Sequence, residues 1–203
     1  MATGPKKRPE LMPLKLSCDQ SDCEQGLHCF HESKKLAKQY GKKDRGSCQA
    51  CGATLVDWER VQRRDSDDLA HTVNALKHES IRHHYWHTEI DQRAKNYAVR
   101  KGRDGLPHAV EKRLRSAVGT KHSRDGRQTP WTGSILYYAQ HATACCCRKC
   151  IEYWHGIPQD QTLTDDQIGY FRDLCLHYID ERMPDLERAG RHVPGLRRTD
   201  KSD

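Results

Sequence analysis

Long apolar runs are missing from this chain. No segment approaches the roughly 20 residues that a membrane span needs. The stretch from Met1 to Lys15 carries charges and prolines where a secretory leader would need continuous apolar residues. A soluble, cytoplasmic protein is the expectation. Apolar residues are scarce overall: 35% of the 203 residues are hydrophobic, 31% are charged, and only 2 aromatics are Phe. Such a composition supplies a thin core for one full domain or two small ones, so something besides burial must help hold the fold. Also missing are internal repeats and the alternation of strand and helix that a thiol oxidoreductase would show. At the His141 cluster the His-x-Glu of zinc deaminases is missing as well, since His141 is followed by Ala142 and Thr143, which disfavours that class.

What the chain has in excess is ligand chemistry, with 10 Cys and 13 His. In a reducing compartment, thiols at short spacings read as metal ligands rather than a disulfide framework. The first group is Cys18-x4-Cys23, then Cys29, then Cys48-x2-Cys51 followed by Gly52. A Cys-x2-Cys-Gly turn puts two thiolates on one knuckle, and an upstream pair completes a tetrahedron. Cys18, Cys23, Cys48 and Cys51 are therefore the expected ligands of a structural zinc. Cys29 is left over as a strand residue of a ribbon, with His28 and His31 as substitutes.

The second group runs from His141 through Cys145, Cys146, Cys147 and Cys150 to His155. Three consecutive Cys cannot all reach one ion. Cys147 and Cys150 have knuckle spacing, Cys146 and Cys150 have helical spacing, and His141 and His155 flank them. Four ligands would make a closed structural site, whereas three would leave a place for water and a catalytic role. One or two Zn2+ ions are expected in all. A third group, Glu79, His83 and His87, falls on one helical face and could hold a catalytic metal.

Positive charge is regional. Arg93 to Arg127 holds eleven Lys or Arg against Asp104, Glu111 and Asp125, whereas Ser134 to Pro184 has a net charge of −3. Regional positive charge suits a polyanion, and nucleic acid is the expected partner, through Arg100, Lys101, Arg103, Lys112, Arg113, Arg115, Arg124 and Arg127.

The fold class expected is mainly α, a small α+β chain at most. It comprises a disordered basic lead-in (1–16), a zinc-ribbon-like module (17–60), a helical domain (66–184) and a flexible tail (185–203). Helices are predicted from Asp67 to about Trp86, from a Thr88 cap to Gly102, and from Pro107 to Val118. Another is predicted from a Thr164/Gln167 capping box to Met183, with Ile168, Phe171, Cys175, Tyr178 and Ile179 as its apolar stripe. Ile135 to Ala139 fits either a strand or a helix.

The stretch Gln140-His141-Ala142-Thr143-Ala144, then Cys146-Cys147-Arg148 and Cys150, then Trp154-His155-Gly156-Ile157-Pro158, resembles the prokaryotic domain-of-unknown-function family 4186. Asp125 to Pro130 resembles that family's lead-in, and the helix after Thr164 its closing helix. The likeness spans roughly residues 93–184. Cys145 stands where the family suggests Thr, and Lys149 where it suggests Gly. The resemblance implies no particular activity. The functional expectation is a zinc-binding protein that contacts nucleic acid. The alternative is a nuclease-like zinc hydrolase using the Cys/His cluster or the Glu79/His83/His87 stripe.

Overall fold

The computed structural model describes residues 17–121, 123 and 125–194; the expected lead-in, Arg124 and the end of the tail lie outside the described residues. The Cys-rich module is built from turns and two short helices. The Ser33 hydroxyl accepts from Leu36 N–H and starts α1 (Lys34–Tyr40), and the Asp57 carboxylate accepts from Arg60 N–H and starts α2 (Trp58–Gln62). The paired strands of a ribbon are not present among the described residues, where pairing is limited to the isolated bridges Asp22↔Leu27 and His28↔Glu79.

That second bridge explains a break in the next element. The sequence predicts one helix from Asp67 to Trp86, but α3 (Leu69–Lys77) ends and α4 (Ser80–His87) begins around His78 and Glu79. His28 N–H donates to the His78 carbonyl (2.8 Å), and Ser80 N–H donates to the His28 carbonyl (3.0 Å). The module's extended segment thus takes up backbone groups that a continuous helix would have used internally.

Asp91, not Thr88, caps α5 (Gln92–Val118), its carboxylate accepting from Ala94 N–H at 2.9 Å. The helix does not stop at Gly102 but breaks there, with φ +63° and ψ 168°, and resumes. Residues 187–191 lie across the break, in a segment expected to be part of a flexible tail. Arg103 and Asp104 N–H donate to the Glu187 and Arg188 carbonyls, and Arg191 N–H donates to the Val99 carbonyl. Both orphaned helix ends are satisfied in this way. A Cβ on Gly102 would lie 2.4 Å from the Arg188 carbonyl oxygen, so the close approach requires glycine.

The undecided segment is helical, α6 (Ile135–Ala142), and is followed by α7 (Arg148–His155) and α8 (Asp165–Arg182). The Thr164/Gln167 capping box is present, and the predicted stripe of α8 is buried against α5 and α6. A second, smaller core joins the module to this helical body. Phe30 packs edge-on against Trp154 (5.8 Å between centroids), and Trp58 lies 4.9 Å from the same ring. Phe30 and Trp154 are almost wholly buried, and each contributes on the order of 2–3 kcal/mol. The sulfurs of Cys48, Cys146, Cys147 and Cys150 line this small core.

Candidate metal centres

The first donor set is Cys23, His28, Cys48 and Cys51, whose ligand atoms lie within 4.8 Å of one another. Two tight turns assemble it. Asp22 and Leu27 exchange both backbone hydrogen bonds (2.7 and 2.9 Å) around Gly26, at φ +75°, which folds Cys23 back beside His28. Gly52 N–H donates to the Cys48 carbonyl (2.8 Å), with Gly52 at φ +83°, and so forms the expected Cys48/Cys51 knuckle. Cys23 Sγ lies 3.7 Å from Cys48 Sγ, and Cys51 Sγ lies 3.6 Å from His28 Nδ1. Burial pushes the Cys48 thiol up, but backbone hydrogen bonds from Cys51, Cys29 and Ala50 outweigh it and bring the thiol down to about 6. Burial and the neighbouring thiols of Cys51 and Cys48 push Cys23 up to about 12. His28 therefore takes the place expected for Cys18.

Cys18 lies beside the second set rather than within it. Cys146, Cys147 and Cys150 have their sulfurs within 4.8 Å of one another, all buried. The Cys18 side chain packs against this same core, and the neighbouring Cys150 thiol together with burial pushes its own thiol up. It is held there by Cys29, whose thiol donates to the Cys18 carbonyl at 2.8 Å. Cys29 belongs to neither set. Ala144, at φ +56°, turns the chain out of α6 so that Cys146 and Cys147 face Cys150 in the first turns of α7. Contact with Cys146 and Cys150 drives the Cys147 thiol up, while Cys146, Cys147 and Cys18 hold Cys150 well below the ordinary thiol value.

Arg82 lies against these sulfurs, only 1% exposed. Its Nη2 donates to Cys150 Sγ (3.1 Å), its Nη1 to the His141 carbonyl (2.6 Å) and its Nε to Glu79 Oε2 (2.8 Å). Trp154 Nε1 donates to the same Glu79 oxygen at 2.9 Å. Burial pushes the Glu79 carboxyl above the usual carboxylate range, and Arg82 offsets only part of that rise. Burial also opposes the Arg82 charge, but Cys150 and Glu79 keep it protonated. Neither Arg82 nor Trp154 is among the expected site residues. Trp154 is part of the motif that carries the family resemblance, whereas the sequence marks Arg82 only by its place beside an apolar helix position.

His141 and His155 are not part of the sulfur set. The His141 ring is stacked between Tyr85 (4.7 Å) and Trp131 (4.8 Å), with Nε2 3.2 Å from the Pro130 carbonyl. His155 Nε2 lies 3.0 Å from the Thr143 carbonyl. Burial lowers both imidazoles to about 4, so both are neutral and each donates from Nε2. The stripe expected to hold a catalytic metal is also dispersed. Glu79 points into the core, whereas the His83 and His87 rings stack on each other at 3.9 Å. Cys145 lies outside both sets, 3.1 Å from Thr143 Oγ1 and 3.5 Å from Cys175 Sγ.

The basic residues divide. Arg103 folds back on Asp180 and on the Leu186 and Pro184 carbonyls, and Arg115 forms a surface pair with Asp165 at 2.8 Å. Arg127 is exposed on the loop before α6. Arg100, Lys101, Lys112 and Arg113 share one cleft beside α5. No helix of the described residues is long and apolar enough to cross a membrane.

Residues 70–180 match the family model described as Domain of unknown function (DUF4186). The chain belongs to this family. The DUF4186 region contains Glu79, Arg82, Cys146, Cys147, Cys150 and Trp154, whereas Cys18 and the whole first donor set come from the segment before it. Arg148 of the DUF4186 motif is a structural staple. Buried, it donates to the carbonyls of Val118 (3.0 Å), Pro158 (2.6 Å) and Gln161 (2.7 Å). No solved structure matches the chain. Two Cys/His clusters of this DUF4186 protein could therefore hold a metal ion.

Proposed function

We propose that this protein is a zinc-stapled nucleic-acid-binding protein. Cys23, His28, Cys48 and Cys51 hold one zinc, and Cys18 completes a four-thiolate site with Cys146, Cys147 and Cys150. The observation that carries the zinc assignment is the donor chemistry. Both sets are thiolate-rich and free of carboxylate ligands, the first with four donors and the second with three beside Cys18, which suits tetrahedral zinc and, with Cys18 bound, would leave no position for a reactive water. The second site ties residue 18 to α7, so its metal fastens the module to the helical body. Structural zinc contributes folding energy outright, as a chain with so small an apolar fraction needs. A closed pair of sites argues for a binding role rather than hydrolysis, and the unpaired cations of α5 suit phosphates.

Metal analysis of the purified protein tests this, with two zincs per chain expected. Cys48→Ser should lose one zinc and loosen the module, while Cys18→Ser should lower zinc affinity at the other site roughly 100-fold or more and release the module from α7. Full stoichiometry and unchanged affinity in both variants would remove the assignment. The nucleic-acid half requires that a labelled oligonucleotide bind at low salt, with affinity falling linearly in log[salt].

A further inference from the structure

We propose that the cleft between the two halves of α5 and the start of α6 is the binding site for a single unpaired nucleic-acid strand, an inference that rests on the nucleic-acid reading above. The cleft encloses about 580 Å³. Five cations line it, namely Arg93, Arg100, Lys101, Lys112 and Arg113, and no Asp or Glu does.

The cleft follows from the break at Gly102. Arg93, Tyr97, Arg100 and Lys101 recur at helical spacing on the half of α5 before the break, and His108, Lys112 and Ser116 on the half after it. The break brings both faces into one concavity, which residues 187–191 brace from behind.

The cleft cations are left without carboxylate partners, as are some others on the surface, while several cations elsewhere are compensated. Lys77, Lys95, Arg103, Arg115 and Arg172 each pair with a carboxylate, whereas the five cleft residues form no ion pair among the described residues. Arg113 is the most fixed of them. It donates from Nε to Gln140 Oε1 (3.0 Å) and from Nη2 to the Gln128 carbonyl (2.7 Å), both neutral acceptors, so it is held in place with its charge uncompensated. A preorganised, uncompensated guanidinium is what a phosphate requires.

Shape selects the strand. Duplex readers insert a protruding helix or ribbon into a groove, whereas a concave, aromatic-walled basic cleft admits an unpaired chain with its bases turned out. The walls supply the rings: Tyr97 and Tyr137 both line the cleft, and Arg113 stacks over the Tyr137 ring at 4.9 Å. Nothing there reads a base edge with a fixed donor pattern, so binding should be tolerant of sequence.

The test uses the full zinc-loaded chain and fluorescence anisotropy with a labelled single-stranded 12-mer, the matching duplex, and inorganic polyphosphate as competitor. Single strand should bind at least tenfold more tightly than duplex. Lys101→Gln/Lys112→Gln, two exposed positions, should weaken binding about tenfold and flatten the log–log salt slope by about 1.4. Tyr137→Leu should weaken binding with the slope unchanged. Lys38→Gln/Lys42→Gln, on the module, should change nothing. Equal affinity for duplex, or wild-type binding by both cleft variants, would overturn the cleft while leaving nucleic-acid binding standing. Full competition by polyphosphate with no effect of Tyr137→Leu would make it a bare phosphate site and overturn the strand. No binding to any oligonucleotide at 20 mM salt would sink the broader reading with it.

Discussion

Arg82→Met removes the buried cation that both the thiols and Glu79 depend on. In the folded protein Arg82 and Glu79 are 1% and 2% exposed and 2.8 Å apart, so water cannot take over for the lost partner. Breaking a buried pair by deleting one member costs about 3–5 kcal/mol, and the orphaned His141 carbonyl adds about 1 kcal/mol. The expected loss is therefore about 5 kcal/mol, a large share of the roughly 5–15 kcal/mol a domain has. Arg82→Met/Glu79→Gln should recover part of it, because the carboxylate is no longer a buried charge without its partner and the amide oxygen that replaces it can still accept from Trp154. The carbonyl of His141 remains orphaned, so recovery is incomplete. Urea denaturation followed by circular dichroism, in excess zinc, reads the stability. Chelator competition reads the metal: without a guanidinium 3.1 Å from Cys150 Sγ, zinc affinity at the Cys146/Cys147/Cys150 site should fall about 10- to 100-fold. A single variant within about 1 kcal/mol of wild type, or a double variant no more stable than the single, would refute the account of this pair.

Two further outcomes follow from buried groups. Gly102→Ala should destabilise by about 3 kcal/mol, because φ is +63° and the new Cβ meets backbone at 2.4 Å on the 187–191 segment; a melting temperature equal to wild type would contradict it. His155, neutral and fully buried, titrates near 4 when folded and near its ordinary 6.5 when unfolded, so the unfolded chain takes up the proton first and stability is lost as pH falls from about 6.5 to 4. Urea titrations of wild type and His155→Gln across that window should differ in slope by about 1.4 kcal/mol per pH unit, and parallel curves would exclude His155 as the cause.

The parts of the fold that could be read from sequence are those whose causes are local. The capping box at Thr164 and the stripe of α8 depend on spacings within one helix, and so does the Cys48/Cys51 turn closed by Gly52. The misreadings have long-range causes. No glycine or proline marks the break at His78 and Glu79, because its cause is His28, fifty residues upstream, which takes up the backbone groups on either side. The same hydrogen bonds account for the missing ribbon: Leu27 to Phe30 is extended, but it pairs with a helix junction rather than with another strand. His141 and His155 flank the sulfurs in sequence, yet a ring sandwich and a carbonyl orient them elsewhere.

The exchange of Cys18 for His28 follows from geometry too. Gly26 reverses the chain so tightly that His28 returns beside Cys23, filling the place that spacing alone assigns to Cys18. Cys18 is then left on the far side of Cys29, whose thiol fixes its carbonyl, and faces the helical body instead of its own module. Cys18 thereby lies beside the other set. With metal in place, the second site and the Phe30/Trp58/Trp154 cluster would be two fastenings of one interface, while the first site would hold the module itself together. Metal removal should therefore detach the module before it melts α8, whose stripe belongs to the separate, larger core. Hydrogen exchange of the chelated protein gives the order: early loss of protection in residues 17–60 with α8 still protected is expected, and simultaneous loss in both would show that the two cores are one cooperative unit.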